Sequence, residues 1–275
     1  MSRLIVQADD IGITHATTRG ILDSITHGIV RATGLFTNRP DADYAAARLR
    51  RLDGVDVGID LNFVTGDPVL DPRRVPGLVT ESGRFRTSGE IRAAHRVIGG
   101  DPVYQRFEPD PFERDETLAE ANAQVERFFD LMGRAPAYVH HHSLVSAVSD
   151  EVVRTVAHEL GVPFVDDLYR TGGLPLLPND WYVKPFALHD QAVADPVQAI
   201  ERLLPVILAR DVSLLIVHPG YVDAELLDIS TYSVIRARDL QAVTSPDVIA
   251  LLDGAGVELT TLTAAGLRSP ATRSR

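Results

Sequence analysis

Short aliphatic runs alternate with longer amphipathic segments along most of this chain. Short, near-continuous apolar runs are typical of buried parallel strands, and they occur at residues 4–7, 29–36, 55–61, 137–139, 164–165, 213–217 and 257–260. Segments with helical periodicity and helix-end residues separate these runs. They are residues 14–27, closed by Gly28; 41–52; 114–132, ending at Gly133; 150–160, with Ser149 as N-cap and Gly161 as its stop; and two helices opened by Asp195-Pro196 and Ser245-Pro246.

About seven strands alternating with helices predict an α/β fold with a parallel sheet. The sheet is either a (β/α) barrel, distorted or incomplete and TIM-like, or an open doubly wound sheet. We favour the barrel, because no G-x-G-x-x-G follows the first strand and no P-loop pattern occurs. Pro205 interrupts the helical pattern of residues 197–209.

The sequence predicts one domain over residues 1–266 and a flexible tail over residues 267–275. Residues 64–111 are rich in Gly, Pro, Arg and Asp and lack a clean period. Long loops in compact domains are frequently functional, so we expect this stretch to form an excursion or lid over the mouth of the sheet.

Composition narrows the classes of function and the ligands available to a metal. The chain has 275 residues, 45% of them hydrophobic, and a formal charge of −11, which argues against nucleic-acid or anionic-membrane binding. Cysteine is absent, so thiol catalysis and zinc ribbons are excluded and a metal must bind oxygen and imidazole ligands. Lys184, the sole lysine, is the one residue that Schiff-base chemistry would use. No signal-peptide pattern or membrane-length apolar run is present, so we expect a cytoplasmic protein.

The polar residues best suited to chemistry follow the predicted strands directly. They are Asp9 and Asp10; Asp60; His140, His141 and His142; Asp166 and Asp167; and His218. The carboxyl ends of parallel strands meet on one face of a barrel, where active sites lie. Side chains alternate along an extended segment, so His140 and His142 are expected to share a face and His141 to point away.

Three of these residues form a plausible metal set. Asp10, Asp60 and His142 would supply two oxygens and one nitrogen and leave positions open for water and a substrate carbonyl. Asp9 is then placed to act as base, and His218 to protonate a leaving amine. Each feature also has a simpler interpretation, since the Asp pair and the His218-Pro219-Gly220 segment are typical of turns. Trp181 and Tyr182 would either stack on a sugar ring or pack in the core.

The sequence resembles the YdjC-like carbohydrate deacetylases, a group that includes chitooligosaccharide deacetylases and a hopanoid-associated branch. The matching segments occur in the same order and span nearly the whole chain. They are residues 4–12 (LIVQADDIG), 20–22 (GIL), 28–30 (GIV), 57–61 (VGIDL), 65–69 (TGDPV), 136–142 (PAYVHHH), 218–221 (HPGY) and 236–262.

The resemblance implies a distorted (β/α) barrel and divalent-metal-dependent removal of N-acetyl groups from amino sugars. By position, it implies that Asp9 is the general base, Asp10 and His142 are metal ligands, and His218 is the acid or oxyanion-side partner. Two positions depart from the pattern. The family usually has histidine, in a Gly-x-His-Leu motif, where this chain has Asp60, and commonly has aspartate where this chain has His140.

The departure at residue 60 leaves three alternatives. Asp60 binds the metal as a carboxylate, the metal site is lost, or a histidine from residues 140–141 compensates.

The main functional hypothesis is a hydrolase that uses Mg²⁺, Zn²⁺ or Mn²⁺ to remove an N-acetyl or other N-acyl group from an amino-sugar-like molecule, in a specialised biosynthetic pathway. The alternatives are lyase or isomerase chemistry with Asp9 as base, and a non-catalytic sugar-binding protein. A homodimer is compatible with each of these hypotheses.

Overall fold

The computed structural model describes residues 2–101, 103–183 and 186–267. The strands are β1 (Arg3–Ile11), β2 (Ala32–Leu35), β3 (Asp56–Leu61), β4 (Arg96–Gly100), β5 (Gln105–Glu108), β6 (Val139–His141), β7 (Val212–Val217) and β8 (Glu258–Leu259). The helices are α1 (His15–Thr26), α2 (Ala42–Leu49), α3 (Ser88–Ala94), α4 (Arg114–Met132), α5 (Ala147–Leu160), α6 (Val165–Arg170), α7 (Leu188–Val193), α8 (Pro196–Leu208), α9 (Ala224–Ile229), α10 (Val234–Val243) and α11 (Pro246–Gly254).

The central sheet is parallel, as the alternating pattern predicts. Its order is β6-β3-β2-β1-β7, and the short strand β8 pairs with the start of β1. Strands β4 and β5 form a separate antiparallel hairpin. The α/β prediction is therefore confirmed.

The sheet curls, but its strand pairing does not close into a ring among the described residues. Single-residue bridges extend it at both edges, from Val139 to Phe164 and from Leu214 to Leu176, and no pairing joins Phe164 to Leu176. Tyr138, directly before β6, and Leu214 of β7 nevertheless belong to one buried cluster. Because these strands lie at opposite ends of the sheet, the sheet must curve to bring them together. The structure thus supports an open, curved α/β sheet and does not confirm a closed barrel.

Alternation along each strand divides the core into two parts. In β1, Leu4 and Val6 face outward and belong to the large cluster packed against the helices, whereas Ile5 faces the interior. The interior cluster contains Ile5, Ala32, Tyr138, Val165, Leu168, Leu174, Leu214, Ile216 and Leu262. This apolar layer fills the base of the curved sheet and leaves its carboxyl end for polar side chains.

Several element boundaries differ from the sequence predictions. Strand β6 lies two residues later than predicted, so His140 and His141 are within the strand. Phe164 makes only a bridge, and α6 begins at the next residue. Helix α5 starts at Ala147, because Ser146 is its N-cap and Ser149 completes the capping box, a stabilisation of about 1 kcal/mol. Helix α8 continues through Pro205.

Residues 64–111 have more regular structure than their composition predicts. They contain a 3-10 turn (Pro72–Arg74), helix α3 and the β4–β5 hairpin. Two contacts tie this excursion to the carboxyl end of the sheet: Thr65 Oγ1 lies 3.5 Å from His142 Nε2, and the Tyr104 hydroxyl donates to Asp166. A role as a lid remains a prediction.

No helix among the described residues is both long and apolar enough to cross a membrane. The predictions for Lys184 and for the tail after residue 267 lie outside the described residues.

Candidate metal and catalytic site

The polar site lies at the carboxyl end of the curved sheet, on its inner face. Gly58 and Asp60 of β3 face inward, because a Cβ on Gly58 would meet the Tyr138 ring and Asp60 pairs in register with His140 of β6. Tyr138, directly before β6, and His140 face inward as well. The expected convergence of strand ends on one face is confirmed.

Strand β1 contributes two consecutive aspartates because its alternation is broken there. The pairing of β1 with β2 passes from Ala8↔Thr33 to Ile11↔Leu35, so β1 holds one extra residue in a β-bulge. Asp10 at this bulge has a φ of 75°, a left-handed conformation that costs a non-glycine residue about 1 kcal/mol. Regular alternation would point Asp9 and Asp10 to opposite faces, whereas the bulge turns both carboxylates toward the site.

Asp9, Asp60 and His140 form a compact group of buried donor atoms. One ligand atom from each lies within 4.8 Å of the others. His140 Nδ1 is 3.2 Å from Asp60 Oδ1 and 3.7 Å from Asp9 Oδ2. Gln7 donates to the other oxygen of Asp9 at 2.8 Å, which leaves Oδ2 facing the group. Two carboxylates and an imidazole are a common ligand set for divalent ions.

Both oxygens of the Asp60 carboxylate have a partner, and the carboxylate fits only because a glycine lies beside it on the neighbouring strand. Its Oδ2 accepts a hydrogen bond from the Asp10 backbone N–H at 3.1 Å, and its Oδ1 faces His140. A Cβ on Gly34 would lie 1.8 Å from Asp60 Oδ1. Strand β2 therefore has space for this carboxylate only because residue 34 lacks a side chain.

Asp10 and His142 form a second group beside the first, together with Arg236. Asp10 Oδ1 is 3.0 Å from His142 Nδ1, and Arg236 Nη2 donates to Asp10 Oδ2 at 2.5 Å. Arg236 comes from α10 and is 1% exposed. A buried guanidinium thus neutralises the carboxylate that the resemblance assigns to the metal.

The two adjacent aspartates have opposite pKa shifts. Burial raises the pKa of Asp9 well above its usual value, and the negative charges of Asp60 and Asp10 add to this effect while His140 opposes it. Burial would also raise the pKa of Asp10, but Arg236 and His142 outweigh it and hold that pKa well below its usual value. Asp10 is consequently ionised under ordinary conditions. The ionised form of Asp9 is disfavoured by burial and is supported by the attraction of His140.

His218 faces Asp9 from the end of β7 and is held by aromatic side chains. Its Nε2 is 3.9 Å from Asp9 Oδ2, its Nδ1 is 3.2 Å from the Tyr182 hydroxyl, and its ring lies 5.0 Å from that of Tyr232. Burial lowers the pKa of His218 to about 3, and the positive charge of Arg236 contributes to this shift. The imidazole is therefore neutral near pH 7.

A buried carboxylate on α10 organises this side of the site. Asp239 accepts hydrogen bonds from Trp181 Nε1 at 2.9 Å, from the His218 backbone N–H at 2.8 Å and from the Tyr182 hydroxyl. Burial raises the pKa of Asp239 to about 6 against the effect of these donors. Trp181 is 7% exposed, so it packs in the core and is not available for stacking on a sugar.

The structure brings the predicted residues to one place but groups them differently from the sequence hypothesis. The predicted ligands Asp10 and His142 pair with each other, and Asp60 lies with Asp9 and His140. His141 packs against Phe63 on the outer face, as predicted from alternation.

Sequence reasoning missed the parts played by Arg236 and Asp239. It named His140 only as one of two histidines that would compensate for the departure at residue 60, and Asp166 only as a polar residue at a strand end. The pairing of Asp60 with His140 would have indicated that the two side chains are neighbours, but it is known only from the strand register in the structure. The two departures from the family pattern, at residues 60 and 140, thus lie side by side on neighbouring strands and contact each other.

Comparisons with known proteins support the resemblance. A carbohydrate deacetylase 2 of Listeria innocua is 27% identical over 260 residues, covering 94% of this chain and 96% of that protein. A carbohydrate deacetylase of Geobacillus stearothermophilus is 29% identical over 260 residues, covering 94% and 95%. Among solved structures, a proposed cellobiose-phosphate cleavage protein of Enterococcus faecalis V583 matches with a TM-score of 0.75 at 22% identity, covering 96% of this chain and 98% of that one. This last match shows a shared fold.

The family model described as YdjC-like protein matches residues 3–254. This range includes every strand of the sheet except the short β8 and every residue of the site described above. The chain therefore belongs to the YdjC-like protein family.

Proposed function

We propose that this protein is a divalent-metal-dependent hydrolase that removes an N-acetyl or other N-acyl group from an amino-sugar-like small molecule. The observation that carries the proposal is the Asp9–Asp60–His140 group, whose three buried donor atoms lie within 4.8 Å of one another. The carbohydrate deacetylase relatives supply the reaction class and the type of substrate.

The donor set fits a divalent cation. Two carboxylates and one imidazole suit Mg²⁺, Mn²⁺ and Zn²⁺, and the anionic charge favours the harder ions more than a set with two histidines would. An ion bound there would polarise an amide carbonyl and lower the pKa of a bound water. We assign the metal to the group containing Asp9 because Arg236 already compensates Asp10 and would repel a second cation beside it.

His218 is the residue best placed to move protons. It is neutral near pH 7, its Nδ1 lies beside the Tyr182 hydroxyl, and its Nε2 faces Asp9. A neutral imidazole in this position accepts a proton from an attacking water and returns it to the leaving nitrogen. In the assignment implied by the resemblance, with Asp10, Asp60 and His142 as ligands, Asp9 is the base and His218 the acid.

A second candidate reaction is lyase or isomerase chemistry on the same face. The burial of Asp9 favours it, because a buried carboxylate with a raised pKa is a stronger base than a solvated one. This alternative differs from the hydrolase in one product: no acyl group is released.

The test is acetate release from a panel of N-acetylated amino sugars and their short oligomers. We expect release that stops after chelation and returns with Mg²⁺, Mn²⁺ or Zn²⁺. Asp60→Asn should lower the rate roughly a thousandfold, about 4 kcal/mol of barrier. Asp56→Asn is the matched control, because Asp56 lies at the opposite end of the same strand and bonds to the Thr263 backbone. Acetate release that survives chelation, or turnover without acyl release, contradicts the proposal.

A further inference from the structure

A third carboxylate, that of Asp166, lies behind the Asp9–Asp60–His140 group. Asp166 is the second residue of α6 and is 1% exposed. His140 Nδ1 faces the group, and its other nitrogen, Nε2, lies 3.8 Å from Asp166 Oδ2. The imidazole is thus held between two sets of carboxylate oxygens, one on each ring nitrogen.

Asp166 is itself held by a dense set of donors. Its Oδ1 accepts from the Tyr169 hydroxyl at 2.9 Å and from the Tyr104 hydroxyl, and its Oδ2 is 3.4 Å from the His141 backbone nitrogen, which donates to it. The Arg170 guanidinium lies 4.1 Å from the centre of the Tyr104 ring and contributes positive charge on this side. These contacts fix the carboxylate while leaving Oδ2 directed at His140.

We propose that Asp166 is a positioning residue that orients His140 as a metal ligand. A proton on Nε2 is attracted to Asp166, so Nδ1 presents its lone pair to the metal position between Asp9 and Asp60. Carboxylates placed behind a ligating histidine in this way fix its tautomer and ring orientation and raise its basicity. This inference rests on the proposed metal site and adds a residue that makes no contact with the metal.

One of the hydrogen bonds that fix the Asp166 carboxylate comes from the excursion at residues 64–111. Tyr104 lies directly before β5, in the connection between the two strands of the β4–β5 hairpin, and its backbone bridges to Val145 just before α5. The excursion therefore contributes to the metal site through Tyr104 and Asp166, although none of its described residues belongs to the Asp9–Asp60–His140 group.

The experiment compares Co²⁺ affinity in three proteins by competition with a chromophoric chelator. We expect Asp166→Asn to bind Co²⁺ 10- to 100-fold more weakly than wild type, the usual effect of losing such a partner. Asp167→Asn is the matched control, because the neighbouring carboxylate pairs with Arg154 and makes no contact with His140. It should bind Co²⁺ as wild type does. The melting temperature of each metal-free protein is measured alongside.

The outcomes separate this inference from the proposed function. If Asp166→Asn melts earlier but binds Co²⁺ with wild-type affinity, its role is structural and the inference is wrong, while the metal site stands. Equal losses of affinity in the two variants also overturn it, because the effect would then be one of general charge. If the wild-type protein binds no Co²⁺, both the proposed function and this inference fail.

Discussion

Asp9 and Asp10 are adjacent in sequence, both buried and of the same chemical type. The charges that surround them nevertheless have opposite effects on their pKa values. Asp9 faces Asp60 and His140, and its pKa is raised well above the usual value because burial and two neighbouring carboxylates oppose its charge. Asp10 faces Arg236 and His142, and its pKa is lowered because their attraction outweighs burial. Arg236 balances the charge of Asp10, whereas Asp9 shares its surroundings with a second carboxylate and would gain from the cation that the proposed function places there.

This comparison shows that residue type and spacing do not determine the electrostatic surroundings of an aspartate. The β-bulge brings both side chains to the same face, and the groups that approach from other strands and from α10 then set their roles. A carboxylate paired with a guanidinium gains less from a bound cation than one surrounded by other carboxylates, which is why the proposed function places the metal with Asp9.

The largest expected effect comes from removing the cation beside Asp10. Arg236→Met keeps much of the side-chain volume but leaves the buried Asp10 carboxylate without its guanidinium partner. We expect the free energy of unfolding to fall by about 3–5 kcal/mol, the usual cost of breaking a buried ion pair by removing one partner. Chemical denaturation measures it. The double variant Arg236→Met/Asp10→Asn should recover part of the loss. A single variant as stable as wild type contradicts the account of Asp10.

A smaller effect is expected when space for Asp60 is removed. Gly34→Ala would place a methyl group 1.8 Å from Asp60 Oδ1, so the carboxylate must move away from His140. We expect a cost of roughly 1–3 kcal/mol in stability and weaker metal binding. Gly254→Ala is the control, because a Cβ there meets nothing within 4 Å. Unchanged metal affinity in Gly34→Ala would show that the position of Asp60 is not critical.

The smallest effect concerns the pH dependence of stability. His218 has a folded-state pKa of about 3, below the usual 6.5, so the folded protein favours the neutral ring. Its contribution is fully present above pH 6.5 and decreases as acid protonates the unfolded chain, by about 1 kcal/mol between pH 6.5 and 5.5. We expect stability to fall more steeply over this interval in wild type than in His218→Gln. Parallel pH profiles of the two proteins would place His218 in contact with solvent.

Much of the fold could be predicted from the sequence because parallel strands are continuous apolar runs. The strand ends carrying Asp60 and His218 were located by this pattern, and their convergence follows from parallel topology. Residues 64–111 could not be predicted in this way. Their hairpin has exposed hydrophobic positions such as Val97 and Ile98, which leave no clean alternation.

The grouping within the site required the three-dimensional structure. A β-bulge has no signature in the letters Asp9-Asp10, and Arg236 lies 226 residues from its partner in sequence. His140 and Asp166 come from elements that meet only after the sheet curls. These contacts depend on tertiary packing, so they could not be predicted from a single sequence.

The most direct test of the central claim is the Co²⁺ affinity of His140→Gln and His142→Gln, measured against wild type by equilibrium dialysis. These histidines face the two competing groups and are replaced in the same way. The account predicts that wild type binds one equivalent, that His140→Gln loses most of its affinity, and that His142→Gln retains it. Loss in His142→Gln with retention in His140→Gln would contradict the account and assign the metal to Asp10, Asp60 and His142.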